Sequence, residues 1–278
     1  MSISDGAACR SAKHKSKKRP RMSALARRNS DSTEALATPP RIEVGGPNRT
    51  GHTHLMKPAL LSIEVKQNVQ ISALLQMPES AKACFVLGHG AGAGMNHSFM
   101  ADIANALEAR EIGTLRYQFP YMENGSKRPD PPALCHATVR AAVQEARKRV
   151  PGVPLIAGGK SFGGRMTSQA QAAKLLPDVQ GLAFVGFPLH PAKKPSVGRA
   201  DHLAQVNIPM LFLQGTRDDL ADLTLLEPIV QKLGKRATLK RIEGADHSFH
   251  VLARSGRNDR EVMEELADTI AAWATGIS

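Results

Sequence analysis

One stretch constrains this chain more than any other: Gly158-Gly159-Lys160-Ser161-Phe162-Gly163-Gly164. It follows the short apolar run Val153-Pro154-Leu155-Ile156-Ala157 and precedes a segment able to form a helix. Residues 159 to 163 read G-x-S-x-G. A serine so flanked, at a strand-to-helix corner, has the pattern of a nucleophile elbow. A strained backbone there lifts the hydroxyl clear of the sheet, and the flanking residues must be small because strand and helix pass close together. By itself the pattern also fits an ordinary glycine-rich turn between strand and helix. Gly159-Lys160-Ser161 also resembles the end of a phosphate-binding P-loop. The first glycine of that motif would fall at residue 154, which is Pro154, so the cradle is missing.

Three further segments bear on the choice. Phe85-Val86-Leu87-Gly88-His89-Gly90-Ala91-Gly92-Ala93-Gly94 runs from an apolar strand into a glycine-rich loop. Such a loop can supply one N–H of an oxyanion hole, and the residue after the nucleophile supplies the other. Ala91 and Phe162 are the expected donors, with Gly90 the alternative to Ala91. A dinucleotide fingerprint fits less well, because its third glycine would fall on Met95. Met210-Leu211-Phe212-Leu213-Gln214-Gly215-Thr216-Arg217-Asp218-Asp219 is a buried-type strand followed by a turn and carboxylates. Asp218 is the expected acid, and one of Asp218 and Asp219 is expected to cap the next helix. In Glu243-Gly244-Ala245-Asp246-His247-Ser248-Phe249-His250, His247 is the expected base. A metal site built on Asp246, His247 and His250 is the lesser alternative, since no other ligand group supports it. The order Ser161, Asp218, His247, each after an apolar strand, differs from the orders found in chymotrypsin and subtilisin.

These segments, with Arg116-Tyr117-Gln118-Phe119-Pro120-Tyr121 and Arg165, make residues 58 to 276 similar to the α/β-hydrolase superfamily. Within it the chain most resembles the small bacterial dienelactone-hydrolase-like group, with serine where true dienelactone hydrolases carry cysteine. The resemblance implies a mostly parallel central sheet with helices on both faces. It also implies a serine hydrolase acting on a small carboxylic ester or thioester through an acyl-enzyme. His89, Gly90 and Lys160 are expected to line the substrate site. Lys160 and Arg165 raise the expectation of anionic substrates. Against it stand a Lys160 that points to solvent and an Arg165 paired with a carboxylate on its own helix. A different reading is a non-catalytic hydrolase-fold interaction module whose basic tail contacts nucleic acid or an acidic partner.

Charge is uneven along the 278 residues, which carry 37 Lys+Arg against 25 Asp+Glu. The first 57 residues hold twelve of the basic and four of the acidic groups. That segment is rich in Ser, Pro and Gly, so it is expected to be a disordered basic tail, with residues 58–278 forming the domain. Met22 or Met56 is a candidate for a truer start. A transit peptide is another reading of the tail. Its basic cluster lacks interleaved aromatics, so stacking on nucleic-acid bases is not expected. Three cysteines (Cys9, Cys84 and Cys135) without C-x-x-C spacing argue against a disulfide framework or a zinc site. No cofactor or metal is expected. No apolar run approaches the length of a membrane span, and the expected location is cytoplasmic.

Patterning predicts a hairpin over Leu60–Val65 and Val69–Leu75, then strands at 83–88, 112–116, 153–158, 179–187, 210–214 and 237–242. Helices are expected near 98–110, 134–149, 164–175, 222–233 and 261–274, with loops at 119–133 and 188–205. Strand and helix alternate, as in a parallel sheet covered on both faces. No insertion is long enough for a bulky lid.

Overall fold

A computed structural model describes residues 57–277. The expectations placed on the basic tail, on Met22 and Met56, and on Cys9 lie outside the described residues. The elements run β1 (Ala59–Lys66), β2 (Val69–Gln76), β3 (Ala83–Gly88), α1 (Ser98–Glu108), β4 (Ile112–Tyr117), α2 (Pro120–Glu123) and α3 (Pro132–Arg149). They continue through β5 (Leu155–Lys160), α4 (Phe162–Ala173), β6 (Val179–Val185), β7 (Met210–Gly215), α5 (Leu223–Leu233), β8 (Ala237–Ile242) and α6 (Asp259–Gly276).

The eight strands form one sheet in the order β1-β2-β4-β3-β5-β6-β7-β8. The β1–β2 hairpin pairs antiparallel with itself and with β4, and every other pairing is parallel. The apolar runs are unbroken in the middle strands because both faces are covered. Alternate residues separate cleanly. Cys84 and Val86 of β3, Ala157 of β5 and Phe212 of β7 face the layer of α3, α4 and α5. Phe85 and Leu87, Ile156 and Leu213 face the layer of α1 and α6. Phe184, Phe187 and Phe212 pack edge to face or tilted in the first layer, with centroids 4.8–5.8 Å apart. Between β6 and β7 the chain has only a 3-10 segment, Gly198–Gln205, and no lid domain is inserted among the described residues.

Several boundaries differ from the sequence reading for local reasons. The segment 119–133 carries α2, and α3 begins two residues before Leu134. Both helices start on prolines, Pro120 and Pro132, whose missing N–H is harmless in a first turn. Strand β5 begins after Pro154, which still accepts the Cys84 N–H through its carbonyl at 2.8 Å. It continues to Lys160, pairing Gly159 and Lys160 with Phe184 and Val185. Helix α5 is capped by Asp222, which accepts the Thr224 N–H, and not by Asp218 or Asp219.

The junction of β5 and α4 sets the geometry of everything above it. A Cβ on Gly159 or on Gly163 would lie 2.3 Å from the Gly88 carbonyl oxygen of the neighbouring strand. Only hydrogen fits at either place, which lets α4 start directly against β3. We therefore expect Gly163→Ala to destabilise the fold by about 1–3 kcal/mol through forced backbone displacement. Gly276→Ala, where nothing lies within 4 Å of an added Cβ, should move the urea midpoint little. Equal midpoints for the two variants would contradict this packing.

Candidate active site

Ser161 sits between β5 and α4 with φ 49° and ψ −111°, in a region that non-glycine residues rarely occupy. Such a conformation costs on the order of 1–3 kcal/mol and persists only where the surroundings enforce it. Here the Ser161 N–H is held by the Val185 carbonyl at 3.1 Å, and its own carbonyl accepts the Arg165 N–H at 3.1 Å. The side chain is thereby raised at the carboxyl edge of the parallel strands, where open α/β sheets place their ligands.

His247 arrives from the loop after β8. Asp246 shapes that loop by accepting the N–H groups of Ser248 (2.8 Å) and His250 (3.0 Å) on one carboxylate oxygen. The imidazole Nε2 lies 2.8 Å from Ser161 Oγ, and Nδ1 lies 2.7 Å from Asp218 Oδ2. A carboxylate can only accept, so Nδ1 carries the proton and Nε2 is free to accept from the serine hydroxyl. The Asp218 side chain is 1% exposed. Its Oδ2 also accepts from Gln214 Nε2 at 2.5 Å, and its Oδ1 accepts the Leu220 N–H at 2.7 Å. Gln214 in turn accepts the Phe187 N–H at 2.9 Å through its carbonyl oxygen. Gln214 read as one more residue of an apolar strand, although a glutamine in a run of Leu and Phe was a signal that a buried group needed it.

The expected oxyanion donors, Phe162 and Ala91, line one cavity with Ser161. The Phe162 N–H is the first of α4, and such N–H groups have no partner within the helix. Ala91 is exposed and borders the cavities on both sides of Ser161. Gly90 is packed close, with its Cβ position 3.9 Å from the Ser161 Cβ.

Two residues expected to line the substrate site make their polar contacts within the protein. His89 is 0% exposed, and both ring nitrogens are occupied. Nδ1 donates to the Gly90 carbonyl at 2.8 Å, and Nε2 accepts the Phe119 N–H at 3.0 Å. Burial pushes its pKa down to about 4, so it is a neutral brace between two loops, and it borders neither cavity at Ser161. Lys160 borders the cavity beside His247, yet its ammonium points neither to solvent nor into open space. Nζ donates to the His247 carbonyl at 2.5 Å and lies over the rings of Phe249 (5.2 Å) and Phe99 (5.8 Å). Burial lowers its pKa to about 8, against the opposing pull of Asp218 and Asp246. Lys160 therefore holds the loop that carries the imidazole. Nor do Asp246 and His250 converge with His247 as metal ligands: Asp246 binds its own loop, and His250 pairs with Asp259 at 2.9 Å.

Ser161 opens on two cavities. One, of ≈ 330 Å³, is bordered by Gly90, Phe99, Lys160 and His247. The other, of ≈ 410 Å³, is bordered by Phe162, Arg165, Pro188 and Arg199. A larger groove of ≈ 730 Å³ beside α1 and α6 shares Phe99 and Ser248 with the first cavity but does not reach Ser161.

Comparison with known proteins places this arrangement. The family described as "Alpha/beta hydrolase domain" matches residues 81–275. An α/β serine hydrolase without lid from Xanthomonas campestris is similar in structure, with 21% identity and a TM-score of 0.61 over 78% of this chain and 95% of that one. Dienelactone hydrolase from Anabaena variabilis shares 19% identity at a TM-score of 0.62, over 79% of this chain and 97% of its own. The esterase domain of a Rhodothermus marinus protein shares 16% identity at a TM-score of 0.61, over 80% of this chain and all of its own, 100%. These likenesses are of fold.

The position of Lys160 has a measurable consequence. Its folded pKa is lowered to about 8 from 10.5, so between those values the unfolded chain binds more protons than the folded one. Stability from this group therefore rises with pH across that window. We expect the urea midpoint of the wild-type protein to climb relative to that of Lys160→Met between about pH 8 and 10.5. Parallel curves would show that the ammonium is solvated.

Proposed function

Because the chain belongs to the alpha/beta hydrolase family, we propose that it is a serine hydrolase cleaving a small carboxylic ester or thioester through Ser161, His247 and Asp218. The observation that carries the reading is the unbroken hydrogen-bonded chain from Ser161 Oγ through both imidazole nitrogens to a buried carboxylate, at 2.8 and 2.7 Å. The chemistry is assigned to residues 58–278, with residues 1–57 outside it.

In the proposed cycle, His247 Nε2 takes the Ser161 proton as Oγ attacks the acyl carbon. Asp218 keeps the imidazole in the right tautomer and stabilises the imidazolium without taking its proton. The N–H groups of Phe162 and Ala91 hold the oxyanion, and losing one such donor costs on the order of 3 kcal/mol in the barrier. Collapse of the tetrahedral intermediate breaks the bond to the leaving group, which departs with the proton from Nε2. Water then attacks the acyl-enzyme. His247 removes one of its protons and returns it to Ser161 Oγ as the acid is released. Neither half-reaction needs a metal or a redox group, so no cofactor enters the scheme.

A fluorophosphonate probe should label Ser161. Turnover of p-nitrophenyl esters of graded acyl length should fall by roughly four to six orders of magnitude in Ser161→Ala. Asp218→Asn should lower kcat by about four orders, because the amide favours the wrong imidazole tautomer. Near-full activity in Ser161→Ala, or labelling confined to another residue, would remove the assignment.

A further inference from the structure

Arg165 and Arg199 stand in the wall of the ≈ 410 Å³ cavity on one side of Ser161, and His247 borders the other. Arg165 is rooted one helical turn after the nucleophile, since its N–H donates to the Ser161 carbonyl at 3.1 Å. Its Nε is buried without a hydrogen-bond partner, and its guanidinium lies 5.9 Å from the Phe162 ring centre. Arg199 donates to the Pro188 carbonyl at a long 3.4 Å. By contrast, Arg110 meets the carboxylates of Glu264 and Asp268, and Arg140 meets the carbonyls of Ala170 and Lys174. Arg165 and Arg199 form no ion pair among the described residues.

Two guanidinium groups that are partly withdrawn from water and lack a counter-ion are costly to bring together. Burial lowers the pKa of both, and the charge of Arg199 lowers that of Arg165 further, so the two feel one another across the cavity. Asp130 also borders this cavity, but its carboxylate accepts the Tyr121 N–H at 2.8 Å, and the balance there stays positive. That carboxylate forms no ion pair with either guanidinium. The fork of a guanidinium matches a carboxylate in two parallel hydrogen bonds.

We propose that Arg165 and Arg199 form a subsite for a free carboxylate on the acyl group of the substrate, which makes the preferred substrate a monoester or monothioester of a short dicarboxylic acid. The inference rests on the hydrolase reading above, which decides the side. The imidazolium must hand its proton to the leaving group, so the leaving group lies against His247, and the acyl chain extends away from it toward the arginines. Lys160 plays no part in this recognition, because its ammonium is engaged with the His247 carbonyl.

The test compares kcat/KM for p-nitrophenyl hemisuccinate, hemiglutarate and hemiadipate with the methyl-capped neutral counterpart of each. The proteins are wild type, Arg165→Gln, Arg199→Gln and the double variant, each checked for fold by circular dichroism. For the best chain length, the wild-type ratio of anionic to neutral ester should be about a hundredfold or more. It should fall about tenfold in each single variant and approach one in the double variant, as expected for loss of charge-assisted hydrogen bonds. Should Arg165→Gln fail to fold, Arg199→Gln decides. A wild-type ratio at or below one overturns the subsite, as does a ratio that survives Arg199→Gln.

If no ester is turned over and Ser161 resists fluorophosphonate, the hydrolase reading fails separately, and calorimetric titration with glutarate decides the anion site. Binding weakened about tenfold in Arg199→Gln sustains the site, and absence of binding to the wild-type protein removes it.

Discussion

The approach of the β5–α4 corner to Gly88 governs the rest of this molecule. Backbone meets backbone there, with the carbonyl of one strand 2.3 Å from where a Cβ of Gly159 or Gly163 would stand. Because nothing larger than hydrogen intervenes, α4 begins at Phe162, immediately after the serine. The chain must turn from strand to helix within one residue, and that residue takes a φ of 49°. Three consequences follow from this one contact. The serine hydroxyl stands proud of the sheet, the first helical N–H lies beside it, and Arg165 is set one turn further along.

The groups that meet Ser161 are held by further hydrogen bonds, buried around Asp218 and His89 and partly exposed around His247. Gln214 ties the Asp218 carboxylate to the Phe187 backbone, Asp246 ties the histidine loop to itself, and Lys160 grips that loop through the His247 carbonyl. His89 links the glycine-rich loop to Phe119 across the sheet edge. The bonds of Gln214 and His89 satisfy buried donors and acceptors that would otherwise cost about 1–3 kcal/mol each. Arg165 and Arg199 border a cavity together with Asp130, and neither guanidinium forms an ion pair among the described residues.

Much of the architecture was legible along the chain. The middle strands are buried on both faces and so appear as apolar runs, and β3 begins and ends where that pattern places it. Boundaries slipped where prolines act differently at a helix start and in a strand: Pro120 and Pro132 open helices inside a segment that reads as a loop. The serine, the carboxylate and the imidazole were each marked by a glycine turn after a strand. Gln214 and Arg199 carried no such mark, and Lys160 and His89, which stand in such turns, were marked for a different partner. Their neighbours on the chain say nothing of what they touch, and Asp222, not Asp218 or Asp219, proved to be the cap of α5.

The sequence alone set the order of the elements and named the candidates: which side chains could serve as nucleophile, base and acid, and which segments alternate between strand and helix. These follow from local periodicity and from backbone conformations that only glycine permits. Folding decided where each polar side chain finds its partner. A lysine next to the serine serves the histidine loop instead of the substrate, and two arginines separated by 33 intervening residues border one cavity. The physical reason is that burial, charge pairing and side-chain direction are set by segments far apart in the chain, which only the closed sheet brings within a few ångströms of each other.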